Sequence, residues 1–190
     1  MRRQLPAAVA VFVFFSLLTG LVYPLAVTGI AGVAFGPRAD GSLVVRDGVV
    51  VGSSLIGQTF KGPGYFHPRP SAAGNGYDAM ASGASNLGPS NPELLHAVAQ
   101  RKEEYLRQNG LAAGARVPVD AITSSGSGLD PHISPANARL QAGRVAAARG
   151  APLSRVLRLV DEATEGRPLG ILGDPGVNVL ELNLALDERL

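Results

Sequence analysis

Residues Leu5–Phe35 read LPAAVAVFVFFSLLTGLVYPLAVTGIAGVAF, and no Asp, Glu, Lys or Arg interrupts the chain from Gln4 to Pro37. A bilayer-spanning helix needs about 20 predominantly apolar residues, so the run is read as a transmembrane anchor. Cleaved leaders carry only about 7 to 15 apolar residues before a small-residue cleavage site, and the length of this run argues against one. Helical at ~1.5 Å per residue, it would reach roughly 45 Å against a hydrocarbon core of about 30 Å, so part of it must protrude, tilt or break. Pro24 predicts a kink, because it removes one backbone donor and its ring crowds the preceding turn. Ser16 and Gly20, and again Gly32 and Gly36, are small residues four apart. That spacing lets another helix backbone approach, which makes these four residues candidates for docking against partner helices.

Arg2 and Arg3 precede the run and carry the whole formal net charge of +2, since the remainder holds 15 basic and 15 acidic side chains. The positive-inside bias then leaves the N-terminus in the cytoplasm and puts everything after Phe35 outside. A neutral outer region with 5% aromatics and no Trp offers neither a phosphate-neutralising field nor stacking platforms, which excludes nucleic-acid binding. Zero Cys removes disulfides, thiolate zinc sites and cysteine nucleophiles together. The 190 residues divide into an anchor over 1–36 and one core-forming domain over 37–190.

In that domain, Leu43–Val45 and Val49–Val51 flank Arg46-Asp47-Gly48 as a hairpin, with Gly48 supplying a positive φ. Ser54–Phe60 is expected to continue as a third strand. From Lys61 to Pro92 the chain is rich in Gly, Pro, Ser and Asn without periodicity. Tyr65, Phe66, Tyr77 and Leu87 within it predict an ordered surface loop rather than disorder. Asn91-Pro92-Glu93 starts a helix that Gly110 closes, with Leu94, Leu95, Val98, Tyr105 and Leu106 on its apolar face. Ser134-Pro135 starts a second helix, ended by Gly150. Pro152 starts a third, with Val156, Leu157 and Val160 inward and Gly166 at its end. At the C-terminus Leu180, Leu182, Leu184 and Leu186 alternate with polar or small residues, which favours a strand, although Asn178 as a cap also admits a helix. The expected class is α+β with three helices beyond the anchor.

The richest chemical feature runs from Thr123 to Pro135, TSSGSGLDPHISP. Backbone amides at Ser124, Ser125, Gly126, Ser127 and Gly128, leading into a helix start, are candidates for holding a nucleotide phosphate or another anion. The P-loop pattern with its lysine is absent, and a tight loop needing Gly for φ and Ser for local capping explains the same residues. A hydrolase triad from Ser125 or Ser127 with His132 and Asp130 lacks the Gly-x-Ser-x-Gly elbow. His67, His96 and His132 have no second His at metal-ligand spacing, which argues against zinc. Arg69, in the rigid turn Phe66-His67-Pro68-Arg69-Pro70, suits either an anion or an intramolecular tie to the long loop. Glu162 and Glu165, with Arg158 one turn before, read as a solvated ion-pair face. No catalytic constellation follows from the residues alone.

Ordered strings point further: Gly52–Gln58 (GSSLIGQ), Phe66 with Arg69-Pro70-Ser71-Ala72, Ser82–Ser90 (SGASNLGPS), Val117–Asp120, Ser124–Asn137, Arg144-Val145-Ala146, Thr164–Arg167 and Val177–Asn183. With the single anchor, this series resembles the C-subunit (KdpC) family of the bacterial Kdp potassium-transporting ATPase over nearly the whole chain. Gly176, after Asp174-Pro175, departs from the basic residue expected there. The resemblance implies a single-pass protein of the bacterial inner membrane and a non-enzymatic accessory subunit. Its implied partners are a potassium-selecting channel-like subunit, a P-type ATP-hydrolysing subunit, a small fourth subunit and membrane lipid. Potassium is then the transported ion, and ATP enters through the complex rather than as a cofactor bound by this chain alone. The family is also described as a catalytic chaperone that raises the ATP affinity of the hydrolysing subunit. The positive-inside reading conflicts with a direct version of that role, because ATP is inside and the domain outside. Coupling through the anchor resolves the conflict if the anchor binds two pump states differently. A membrane-anchored anion-binding module and a Ser hydrolase are the other readings.

Overall fold

A computed structural model describes residues 4–190; Arg2 and Arg3, on which the orientation reading rests, lie outside the described residues. Contacts divide the chain into two compact units, Met1–Val50 and Val51–Leu190. In the first, helix α1 (Gln4–Leu17), a π turn (Leu18–Val22) and helix α2 (Tyr23–Ala39) form one continuous helical rod. At 36 residues this rod is long and apolar enough to cross a membrane. The break expected at Pro24 takes the form of that π turn, which ends just before the proline. Farther on, Phe35 leaves helical geometry at φ −135° and ψ 28°, two residues before Pro37. Pro37 inside the helix removes one backbone donor and crowds the turn before it, and the helix kinks there before running on to Ala39.

Strands β1 (Leu43–Arg46) and β2 (Val49–Ser53) form the expected hairpin, with Asp47 and Gly48 both at positive φ. The third strand does not form. Ser53 Oγ accepts from Leu55 N at 3.2 Å and Ser53 O from Ile56 N at 3.3 Å, so the chain turns at once. This is the local hydroxyl-to-backbone competition that Ser is prone to. Three short strands, β3 (His132–Ile133), β4 (Thr164–Glu165) and β5 (Gly176–Asn178), make an antiparallel sheet in the order β3-β5-β4. His132 pairs with Asn178, and Thr164 with Val177.

Helices α3 (Pro92–Gln108), α4 (Pro135–Arg149), α5 (Leu153–Glu162) and α6 (Val179–Arg189) follow the hairpin, one more than the sequence reading counted. The caps form as expected: Asn91 Oδ1 accepts from Glu93 N at 2.8 Å and Ser134 Oγ from Asn137 N at 3.1 Å. Of the apolar face expected on α3, only Tyr105 and Leu106 are buried. α5 ends at Glu162 rather than Gly166, and its expected last turn becomes β4. At the C-terminus the favoured strand is a helix. Asn178 Oδ1 accepts from Glu181 N at 3.2 Å, and Val179, Leu182, Asn183 and Leu186 are buried at i, i+3, i+4 and i+7. That helical set, with a cap in place, outweighs a period-2 alternation that the buried Asn183 breaks.

The core of the second unit is Phe66, Ile133, Val145, Val156, Leu159, Val160, Val177, Val179, Leu182 and Leu186. Ala138, Ala142 and Ala146 on α4 are also buried in it, and such short side chains let a neighbouring helix approach closely. Mixed helix and strand with one apolar N-terminal helix agrees with the class expected.

Candidate functional site

The segment Phe66–Pro70 carries no regular secondary structure, yet Phe66 is in the core. Backbone groups so placed must find partners, and two side-chain amides supply them. Asn183 on α6 accepts from Phe66 N at 2.8 Å and donates to Phe66 O at 2.9 Å. Gln141 on α4 does the same for His67, accepting from its N at 2.7 Å and donating to its O at 3.0 Å. Each amide presents one donor and one acceptor in a plane, as a neighbouring strand would, so the pair holds two consecutive residues extended without a sheet.

Behind them the network continues. Asn137 Oδ1 accepts from Gln141 Nε2 at 2.9 Å and from Tyr105 Oη at 2.8 Å, and Asn137 Nδ2 donates to Asp120 at 2.9 Å. Asp120 also accepts from Ser134 N and Ser134 Oγ, both at 2.8 Å. Arg144 donates to Pro63 O at 2.6 Å, Tyr65 O at 2.9 Å and Asn109 Oδ1 at 3.0 Å. Arg149 donates to Gly64 O at 2.6 Å, pairs with Asp187 at 2.7 Å and lies 4.8 Å from the Tyr65 ring centre. Burial raises the Tyr105 pKa, so its hydroxyl stays a donor. Burial lowers that of His67, with the Arg144 charge acting in the same direction. No buried side-chain N or O among the described residues lacks a partner.

Arg69 is the link to the serine-rich loop. Its Nη1 donates to Asp130 at 2.8 Å, and its remaining nitrogens face the carbonyls of Thr123 and Ser124 at 3.5 Å. Asp130 Oδ1 accepts from His132 N at 2.9 Å; the His132 imidazole lies between Asp130 at 3.6 Å and Glu165 at 3.7 Å. The hydrogen bond to Asp130 raises the His132 pKa against a smaller loss from burial, and Glu165 adds to the rise. Burial of Asp130 acts to raise its own pKa, but the bonds from His132 and Arg69 outweigh it and the carboxyl sits low. An imidazole can lie there because Gly176 has no side chain: a Cβ would meet His132 atoms at 3.3 Å. These groups line an open cleft of about 470 Å³ that also includes Asp120, Ser134 and Asp174.

Of the candidate residues Ser124, Ser125, Gly126, Ser127 and Gly128, the structure shows Ser124, Ser127 and Gly128 presenting carbonyls to other segments. Ser127 O accepts from Gly83 N at 2.8 Å and from Ser82 Oγ at 3.0 Å, and Gly128 O accepts from Ser71 Oγ at 2.6 Å. Acceptors facing inward, with Arg69 against that of Ser124 and against the adjoining Thr123 carbonyl, are the reverse of the donor cradle an anion needs. Ser125 Oγ and Ser127 Oγ face each other at 3.4 Å while His132 is engaged by Asp130 and Glu165, so the triad arrangement is not assembled. In the anchor, Ser16, Gly20 and Gly32 are exposed and Gly36 is half-buried, and a Cβ built at any of the three glycines has nothing within 4 Å.

The family model described as "KdpC: K+-transporting ATPase, c chain" matches residues 5–188. The chain belongs to the KdpC family. A protein of Mycobacterium tuberculosis (strain H37Rv), named Potassium-transporting ATPase KdpC subunit, is 57% identical over 187 residues, covering 98% of this chain and 99% of its own. Proteins of the same name from Rhodospirillum rubrum and Myxococcus xanthus are 58% identical over 189 residues and 59% over 174. They cover 100% and 90% of this chain, and 97% and 82% of their own length. Sequence reasoning found Arg69 and Asp130 but missed Asn137, Gln141 and Asn183. Asn137 and Gln141 stand four apart on one helix face, and a polar pair inside an otherwise small and apolar stripe was the available signal.

Proposed function

We propose that this chain is the accessory C subunit of a bacterial potassium-transporting ATPase. In this reading the anchor docks on partner transmembrane helices through the Ser16–Gly20 and Gly32–Gly36 faces. The unit after the hairpin, on the outer side, stabilises the assembled pump at its potassium-selecting subunit. The likeness carries the reading, with about three-fifths of residues shared over nearly the full length of relatives named for that subunit. Its chemistry agrees, because the buried polar side chains among the described residues of the outer unit are spent on one another and on its own backbone, which suits a scaffold. We assign the serine-rich loop the same structural role and route any effect on ATP affinity through the anchor. The charge pair Arg2-Arg3 supports an inside N-terminus.

Two measurements test this. Affinity purification of the tagged chain from native membranes is expected to bring down the hydrolysing and potassium-selecting subunits; isolation of the chain alone would defeat the subunit reading. Protease added to sealed, right-side-out spheroplasts is expected to digest the outer unit, and full protection would reverse the orientation.

A further inference from the structure

The apolar run Leu5–Phe35 is centred on Gly20, so the π turn Leu18–Val22 lies at the middle of the membrane-crossing segment. Its register costs the helix an acceptor's partner. In an α-helix the Thr19 carbonyl would accept from Tyr23 N–H, but that N–H donates to Leu18 O. The next donor along, at the i+5 position, would be residue 24, and Pro24 has no N–H. The Thr19 carbonyl is thus deprived of both helical donors. Its own side chain does not repair the gap, since Thr19 Oγ1 donates to Phe15 O at 2.7 Å.

In water such a carbonyl would be hydrated, but acyl chains offer no donor, and irregular backbone at that depth persists only where it is covered by protein or faces a water-filled space. π turns inside α-helices also concentrate at functional positions. Access to the spot is open, because a Cβ at Gly20 would have nothing within 4 Å. We infer that a neighbouring transmembrane helix donates a side-chain hydrogen bond to the Thr19 carbonyl at mid-membrane, its donor being a hydroxyl, amide or imidazole N–H. This rests on the subunit reading and gives it a point of attachment that the small-residue spacing alone does not.

Two variants separate the effect from folding. Pro24→Ala restores a backbone donor, so the helix of the isolated chain gains regularity while the orphan carbonyl disappears. Gly20→Ala adds a methyl group where the free helix has room and a partner would not. The full-length chain, wild type or variant, is titrated in detergent against the purified remaining subunits, and affinity and helix content are read together. Expected is a loss of affinity of about threefold to tenfold for Pro24→Ala, the size of one interhelical hydrogen bond in a membrane, with helix content unchanged or higher. Gly20→Ala is expected to weaken binding while leaving helix content intact. Equal affinity of wild type and both variants would overturn the donor at Thr19 and leave the subunit reading standing. Failure of the wild-type chain to bind at all would overturn both.

Discussion

Replacing Asn183 by Ala removes the amide that holds Phe66, and the structure sets the size of the effect. Asn183 is 1% exposed and Phe66 fully buried, so water cannot replace the two lost bonds without opening the core. Each buried backbone group left without a partner costs about 1 to 3 kcal/mol, which puts the loss near 3 kcal/mol or somewhat above. That is a large share of the roughly 5 to 15 kcal/mol by which a domain is stable. For a domain of this size it corresponds to a fall in Tm of about 10 °C. Thermal unfolding of the full chain in detergent, followed by circular dichroism, reads it directly. Limited trypsin digestion provides a second readout at Lys61, five residues before Phe66; Arg69 is followed by Pro70 and resists trypsin. Asn183→Asp keeps the acceptor and loses the donor, so it is expected to be no milder at neutral pH. A Tm within about 2 °C of wild type for Asn183→Ala would show that the amide is not what fixes Phe66.

The His132 pKa is raised in the folded chain, so its protonated form adds stability that is fully present below the ordinary histidine value and lost as pH rises through the folded one. Unfolding followed from about pH 5 to 9 is expected to show that loss in wild type and not in His132→Gln. The charges facing this imidazole are Asp130, Glu165 and Glu181. Asp130 is lowered, so its contribution is present above the ordinary carboxylate range and disappears as pH falls through its folded value; Asp130→Asn is expected to flatten the acid limb. Gly128 sits at φ +68° with Gly83 O only 2.6 Å from where a Cβ would be, so Gly128→Ala is expected to cost about 2 kcal/mol or more in urea unfolding.

Legibility followed the range of the interactions. The anchor, hairpin and caps of α3 and α4 depend on residues within a few positions of each other, and all were readable. The end of α5 and the start of β4 depend on strand pairing between Thr164 and Val177, which no local pattern announces. α6 was misread because its leucines satisfy two periods at once, and only the buried Asn183, bonded to a residue 117 positions away, decides between them. The serine-rich loop shows the converse problem. Its composition suits an anion cradle, but whether a loop offers amides or carbonyls is a property of backbone direction, set here by Gly83, Ser71 and Arg69 from a distant segment.

A chain can change the ATP affinity of a partner subunit without touching nucleotide. Whatever raises that affinity must itself be bound more tightly, by the same factor, when nucleotide is present. A tenfold effect needs about 1.4 kcal/mol of difference between the two states of the complex. Interhelical hydrogen bonds in membranes average about 0.6 kcal/mol and reach about 1.7, so a donor that reaches the Thr19 carbonyl in one state and not in the other covers from under half to all of that sum. Reciprocity follows: if this chain raises the ATP affinity of a partner, saturating a non-hydrolysable ATP analogue is expected to strengthen its retention by the same factor. Pro24→Ala is expected to reduce both factors together. If Pro24→Ala leaves both factors at their wild-type values, the coupling does not run through the Thr19 carbonyl, and this account of it fails.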